Sequence, residues 1–183
     1  ADAVLENRDP VTVDISISPA PVTTSAEALC SASAEDPDGG SISTSYAWMS
    51  ATGSSLGSQA GLALSPSLVQ PGDTLTCTAT ITDEQGASIT ASASAVVENT
   101  APVFASISLS PESPLSGDTA ECTAVAEDAD GEIPTVSYAW NLNGALAGTG
   151  TSLSLPTLVT GDTIECVATA TDAYGGAATA TAG

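Results

Sequence analysis

Apolar and polar residues alternate one by one along several stretches of the chain. The clearest is Thr74-Leu75-Thr76-Cys77-Thr78-Ala79-Thr80-Ile81-Thr82, with Leu75, Cys77, Ala79 and Ile81 on one face and threonine on the other. A period of two is that of a β-strand with one face buried. Val11–Ser18, residues 28–34, residues 107–110 and Ile164–Thr171 carry the same pattern. Asp38-Gly39-Gly40, Pro71-Gly72-Asp73, Asp130-Gly131 and Gly175-Gly176 separate the runs with residues that favour turns. No stretch of useful length has a helical period. Short, regularly spaced strands predict an all-β sandwich.

The pattern occurs twice. Pro10, Pro19, Cys30, Asp36, Asp38, Gly39, Tyr46 and Trp48 are matched by Pro102, Pro111, Cys122, Asp128, Asp130, Gly131, Tyr138 and Trp140. After a short deletion, Gly72, Asp73, Cys77, Asp83 and Gly86 are matched by Gly161, Asp162, Cys166, Asp172 and Gly175. Two domains are expected, residues 8–98 and residues 99–183, meeting around Glu98-Asn99-Thr100-Ala101-Pro102. Residues 1–7 read as a strand that belongs to a preceding domain or to a neighbouring copy.

In each repeat a cysteine, a tryptophan and a second cysteine follow in order: Cys30, Trp48, Cys77, then Cys122, Trp140, Cys166. This order resembles the immunoglobulin fold, in which a disulfide pins the two sheets and the tryptophan packs on it. The resemblance implies two tandem Ig-like β-sandwiches, each with one inter-sheet disulfide, Cys30–Cys77 and Cys122–Cys166. Trp48, Trp140, Tyr46 and Tyr138 then fall in the cores. A cysteine metal site is the rival reading, but there are no close CxxC pairs and no histidine. Disulfides place the chain outside the reducing cytoplasm. Asn99-Thr100-Ala101-Pro102-Val103, Ser108-Leu109-Ser110-Pro111, Asp128-Ala129-Asp130-Gly131, Tyr138-Ala139-Trp140 and Gly161-Asp162-Thr163-Ile164-Glu165-Cys166 resemble tandem bacterial Ig-like and PKD-like repeats of secreted surface proteins. Such modules serve as stalks, adhesin arms and fibre subunits.

Composition narrows the function. Of 183 residues, 32 are Ala and 49 are Ser or Thr, so the cores are built from small side chains. One basic residue, Arg8, stands against 22 Asp and Glu, giving a formal charge of −21. One cation cannot displace phosphate counterions, which excludes nucleic-acid binding, and an anionic membrane would repel the chain. Without histidine, nucleophile–base pairs are missing, and no spare aromatic residues line a sugar cleft. Catalysis is not expected. The Ser/Thr content offers acceptors for O-glycosylation.

The carboxylates cluster. Glu35, Asp36 and Asp38 precede the third strand and Asp83 precedes the last; Glu127, Asp128, Asp130 and Asp172 repeat the arrangement. In an Ig-like sandwich these loops share one end, near Glu98 and Asn99. Converging carboxylates with an amide oxygen suit Ca2+, which takes six to eight oxygen ligands. The layout is similar to cadherin linkers, on Asn99-Thr100-Ala101-Pro102 and Asp128-Ala129-Asp130. The competing reading is that Asp-x-Asp-Gly is a turn sequence and that acid keeps the chain soluble. Asp73, Asp118 and Asp162 read as turn or strand-entry residues.

Ala3-Val4-Leu5-Glu6-Asn7 repeats the wording of Ala95-Val96-Val97-Glu98-Asn99. The segment Ala1, Asp2, Ala3, Val4, Leu5, Glu6 is therefore expected to complete an open sandwich, within a longer tandem chain or in another copy by strand addition. The combined reading is an extracellular structural segment of a surface fibre whose partner is a copy of itself. The alternative is an adhesin arm that binds carbohydrate or protein.

Overall fold

The computed structural model describes residues 6–183, among which there is no helix. In chain order the strands are β1 (Val11–Ser18), β2 (Val22–Thr23), β3 (Glu27–Glu35), β4 (Ile42–Ser50), β5 (Ser55–Gly57), β6 (Gly61–Ala63), β7 (Thr74–Asp83) and β8 (Ser88–Glu98). The second series is β9 (Val103–Ser110), β10 (Thr119–Glu127), β11 (Thr135–Leu142), β12 (Ala145–Thr149), β13 (Ser152–Ser154), β14 (Ile164–Thr171) and β15 (Ala177–Ala182). The chain divides into two compact units, one ending at Asn99 and one running from Thr100 to Gly183.

In the first unit, one sheet has the order β1-β3-β6 and the other β2-β8-β7-β4-β5. The β7 strand alternates as its sequence dictates: Leu75, Cys77, Ala79 and Ile81 are buried and the threonines between them are half-buried. Cys30 on β3 is bonded to Cys77 on β7, so the bridge ties the two sheets together. Trp48, 0% exposed, lies in the same core with Val22, Leu62, Leu64, Val69, Leu75 and Val97. Its indole N–H donates to the Gln59 carbonyl at 2.9 Å, which satisfies the one polar group this large side chain buries. Tyr46 packs on the edge of the core.

The second unit repeats the plan with sheets β13-β10-β9 and β12-β11-β14-β15. Cys122 on β10 is bonded to Cys166 on β14. Trp140 is fully buried and donates to the Gly150 carbonyl at 2.9 Å. Tyr138 packs against this core, and its hydroxyl accepts the Ala124 N–H at 3.2 Å. The buried core here is Ala120, Cys122, Trp140, Leu155 and Cys166. It is leaner than the first, which buries Val22, Leu62, Leu64, Val69, Leu75 and Val97 around its disulfide and tryptophan. Each disulfide closes a loop of more than forty residues, 47 and 44 in sequence separation. In the chain-entropy model that is worth about 4 kcal/mol per bridge.

Two strands are longer than their alternation alone indicates. Residues 28–34 extend to Glu27–Glu35, and residues 107–110 extend back to Val103. In the second case a register shift opposite, between Val125 and Ala126, absorbs one residue and lets pairing resume at Phe104 where the sequence pattern breaks. On the outer face of β7 and β8 the hydroxyls pair across strands: Thr76 with Ser94, Thr78 with Ser92 and Thr82 with Ser88, each at 2.9 Å. The threonine stripe is thus a cross-strand ladder that keeps a polar face internally bonded.

Candidate metal centre

Each unit gathers its acidic loops at one end, and the same local devices hold them. After β3, the Asp38 N–H donates to Asp36 Oδ1 at 2.7 Å; after β10, the Asp130 N–H donates to Asp128 Oδ1 at 2.8 Å. These are Asx turns, the reason Asp-x-Asp-Gly is a good turn sequence. Gly39 and Gly131 follow at φ 81° and 87°, which an L side chain rarely adopts. In the loop after β7, Asp83 Oδ1 accepts the Gln85 and Ala87 N–H groups at 2.9 and 2.8 Å. In the loop after β14, Asp172 Oδ1 accepts the Tyr174 and Gly176 N–H groups at 2.8 and 2.7 Å.

From this shared frame the two ends diverge. In the first unit the lone cation closes the loop. Arg8 donates its backbone N–H to Asp38 Oδ2 at 2.7 Å and its Nε to Oδ1 at 2.8 Å, and its Nη2 also reaches the Pro37 carbonyl. Asn7 Nδ2 donates to Asp83 Oδ2 at 2.8 Å. Both carboxyls are held below the usual carboxylate range. For Asp38 the leading cause is the Arg8 backbone N–H, followed by its side chain. For Asp83 it is the Asn7 amide, reinforced by the loop N–H groups against an opposing push from burial.

In the second unit no cation stands at the Arg8 position. Thr100 takes its place and donates both its N–H and its hydroxyl to Asp130 Oδ2, at 2.7 and 2.8 Å. Asp130, 1% exposed, is thereby a buried structural acceptor. Beside it, ligand oxygens of Asp128, Glu132 and Asp172 all lie within 4.8 Å of one another. Asp128 Oδ2 and Glu132 Oε1 are buried and accept no hydrogen bond. In the first unit the atom equivalent to the former, Asp36 Oδ2, is also buried and unbonded.

The structure therefore sorts the sequence candidates. Asp128 and Asp172 are brought together. Asp38 and Asp130 are not free ligands but are bonded to Arg8 and Thr100. Asp83 serves Asn7 and its own loop. Glu35, Glu98 and Glu127 are exposed and outside the cluster, and Asn99 is half-buried. Of the assembly segment, residues 1–5 lie outside the described residues and Glu6 is exposed. Asp73, Asp118 and Asp162 accept N–H groups three residues upstream, from Gln70, Leu115 and Val159, as turn residues do.

Glu132 is the member that clustering of acids along the chain does not single out. The repeat itself carries the signal for it: Glu132 stands where the first unit has Gly40, and Ala173 stands where the first unit has Glu84. The acid has moved from one loop to the facing one. A Cβ at Gly40 would lie 2.6 Å from Asp36 Oδ2 and 3.2 Å from Glu84 Oε1. The Glu84 carboxylate thus lies at the position that a side chain at residue 40 would enter.

No family model matches this sequence, and no curated protein matches it. Among solved structures, it overlaps the fibronectin(III)-like modules of Clostridium thermocellum CbhA at 14% identity, covering 92% of this chain and 91% of that one, with a TM-score of 0.32. It also overlaps Bacteroides ovatus SGBP-B of the mixed-linkage glucan utilization locus, solved with a mixed-linkage heptasaccharide (14% identity, 95% of this chain, 46% of that one, TM-score 0.33). A third is the central fibronectin-III array of RIM-binding protein (11% identity, 95% and 68%, TM-score 0.30). Overlaps this loose carry no inference about ligand or role.

Proposed function

We propose that this chain is a non-catalytic, extracellular spacer: a tandem pair of disulfide-stapled sandwiches that forms a segment of a surface fibre. The observation that supports it best is the repetition itself. The same Cys–Trp–Cys core, the same turns and the same acidic loop end occur twice in one chain. Repeated modules of this kind set distance and stiffness, and a disulfide in each keeps a small, alanine-rich core folded in an oxidising environment. The formal charge of −21 keeps neighbouring strands soluble and apart within the Debye length, about 8 Å at physiological salt.

Head-to-tail growth by strand completion is the finer form of this reading. The wording of residues 3–7 matches that of residues 95–99, and Ala95 and Val96 pair with Leu75 and Thr74 at the start of β7. The added strand comes from continuing chain or from a second copy, and a contact of this kind propagates instead of closing. Electron microscopy of native material, paired with mass measurement after denaturation, tests both. Filaments that dissociate to a single discrete subunit support strand addition; filaments of one long chain support the tandem array. Dispersed particles with affinity for glycans overturn the spacer reading.

A further inference from the structure

We infer that the first unit carries a pocket for an acetamido group, CH3–CO–NH–, at the end opposite its acidic loops. The β4–β5 turn, the start of β7 and the loop before it enclose a cavity of about 180 Å3. One water needs only about 10–15 Å3, so the space suits a small organic group. Leu56, Leu68, Val69 and Leu75 wall it. Ser50 and Thr52 border it, with their hydroxyl oxygens 2.9 Å apart. Val69 and Leu75 belong to the buried core, whereas Leu68 is 41% exposed. Apolar walls with a few polar groups suit a ligand that has a methyl end and a polar end.

The second unit shows which polar end fits. Asn143 follows β11 as Ala51 follows β4: Leu142 is opposite Ile164 on β14, and Ser50 is opposite Leu75 on β7. There the Asn143 carboxamide is bonded on both sides. Its Nδ2 donates to Asp162 Oδ1 and its Oδ1 accepts the Thr163 N–H, each at 2.9 Å. Asp73 and Thr74 are the counterparts of Asp162 and Thr163, and both line the cavity. Asp73 is held as Asp162 is: its Oδ2 accepts the Gln70 N–H, where Asp162 Oδ2 accepts that of Val159. The Asp73 carbonyl accepts the Val97 N–H of β8 at 2.8 Å. In a trans peptide the Thr74 N–H then points the other way, toward β4 and the cavity. At residue 51 the first unit has alanine, and its turn is closed by the Ser50 N–H donating to the Ser54 carbonyl at 2.9 Å. A ligand amide makes both bonds, its N–H to Asp73 and its carbonyl to the Thr74 N–H, with its methyl against the leucines. The chain's charge of −21 favours a neutral ligand over an anion.

NMR titration of the isotope-labelled 183-residue chain with N-acetylglucosamine, N-acetylglycine methylamide and glucose tests this. Binding is read on the single chain, so its outcome is separable from that of the spacer reading, which turns on assembly. The Thr74 amide resonance should shift saturably with both acetylated probes, with Kd about 1 mM for so small a ligand, and should not shift with glucose. Tighter binding of N-acetylglucosamine identifies the source as an acetylated sugar; tighter binding of the methylamide identifies it as an acylated peptide. Ala51→Leu should fill the cavity and abolish the shift without lowering the melting temperature. Leu68→Ala removes one half-exposed wall and should weaken binding about tenfold while the unit stays folded. An equal response to glucose, a Thr74 amide that does not move, or unaltered binding in both variants overturns the assignment.

Discussion

The two loop ends start from one template and solve the same electrostatic problem differently. In the first unit, an arginine and an asparagine brought by the segment before β1 donate to Asp38 and Asp83. In the second, a threonine bonds to Asp130, and oxygens of Asp128, Glu132 and Asp172 lie within 4.8 Å of one another. The backbone is held by the same Asx turns in both. What differs is a handful of side chains: Arg8 against Thr100, Gly40 against Glu132, Glu84 against Ala173. A scaffold that fixes carboxylates through one oxygen can be closed by different donors, Arg8 in one unit and Thr100 in the other. The scaffold is a property of the repeat; the closure is a property of each unit.

The largest effect that separates the units comes from the disulfides. Removing either bridge by a Cys→Ala pair costs about 2–5 kcal/mol. The second unit, with its leaner core, has less to spare. Cys122→Ala/Cys166→Ala should abolish the second unit's unfolding transition at moderate temperature. Cys30→Ala/Cys77→Ala should lower the first unit's transition and leave it cooperative. Differential scanning calorimetry of the two variants distinguishes them; equal shifts would show that core size does not matter.

Next is the buried acceptor. Asp130→Ala strands the Thr100 N–H and hydroxyl, which should cost about 1–3 kcal/mol in urea unfolding. Asp38→Ala should cost less, because its partner Arg8 is 63% exposed and water replaces the lost bonds. If the two variants lose the same stability, burial is not what distinguishes the two loop ends.

The smallest effect is on acid sensitivity. Asp38 and Asp83 titrate below their unfolded value, which is about 3.9. A depressed folded pKa contributes stability that is present above about pH 4 and is lost as pH falls through the folded value. The first unit should therefore weaken progressively below about pH 4. Asn7→Ala removes the leading cause of the Asp83 shift and should reduce that acid-dependent loss. Melting curves across the acid range check it; an unchanged pH profile in Asn7→Ala refutes the role given to the amide.

The sandwich class and the repeat are legible in the order of residues, because each rests on local periodicity or on a pattern stated twice; both sulfur bridges are what the resemblance of the Cys–Trp–Cys order to the immunoglobulin fold implies. Leu75, Cys77, Ala79 and Ile81 name the buried face of β7 on alternation alone, since a strand's side chains point to opposite faces whatever its neighbours are. The acidic end is legible too, through Asp36, Asp83 and their counterparts. Which carboxylates meet is settled by the folded chain. Asp130 and Asp128 are two residues apart, yet one turns to Thr100 and the other leaves an oxygen toward Glu132 and Asp172. That choice depends on which loops the sheets hold side by side and on which donors arrive there. Those are distances across the fold, and spacing along the chain does not encode them.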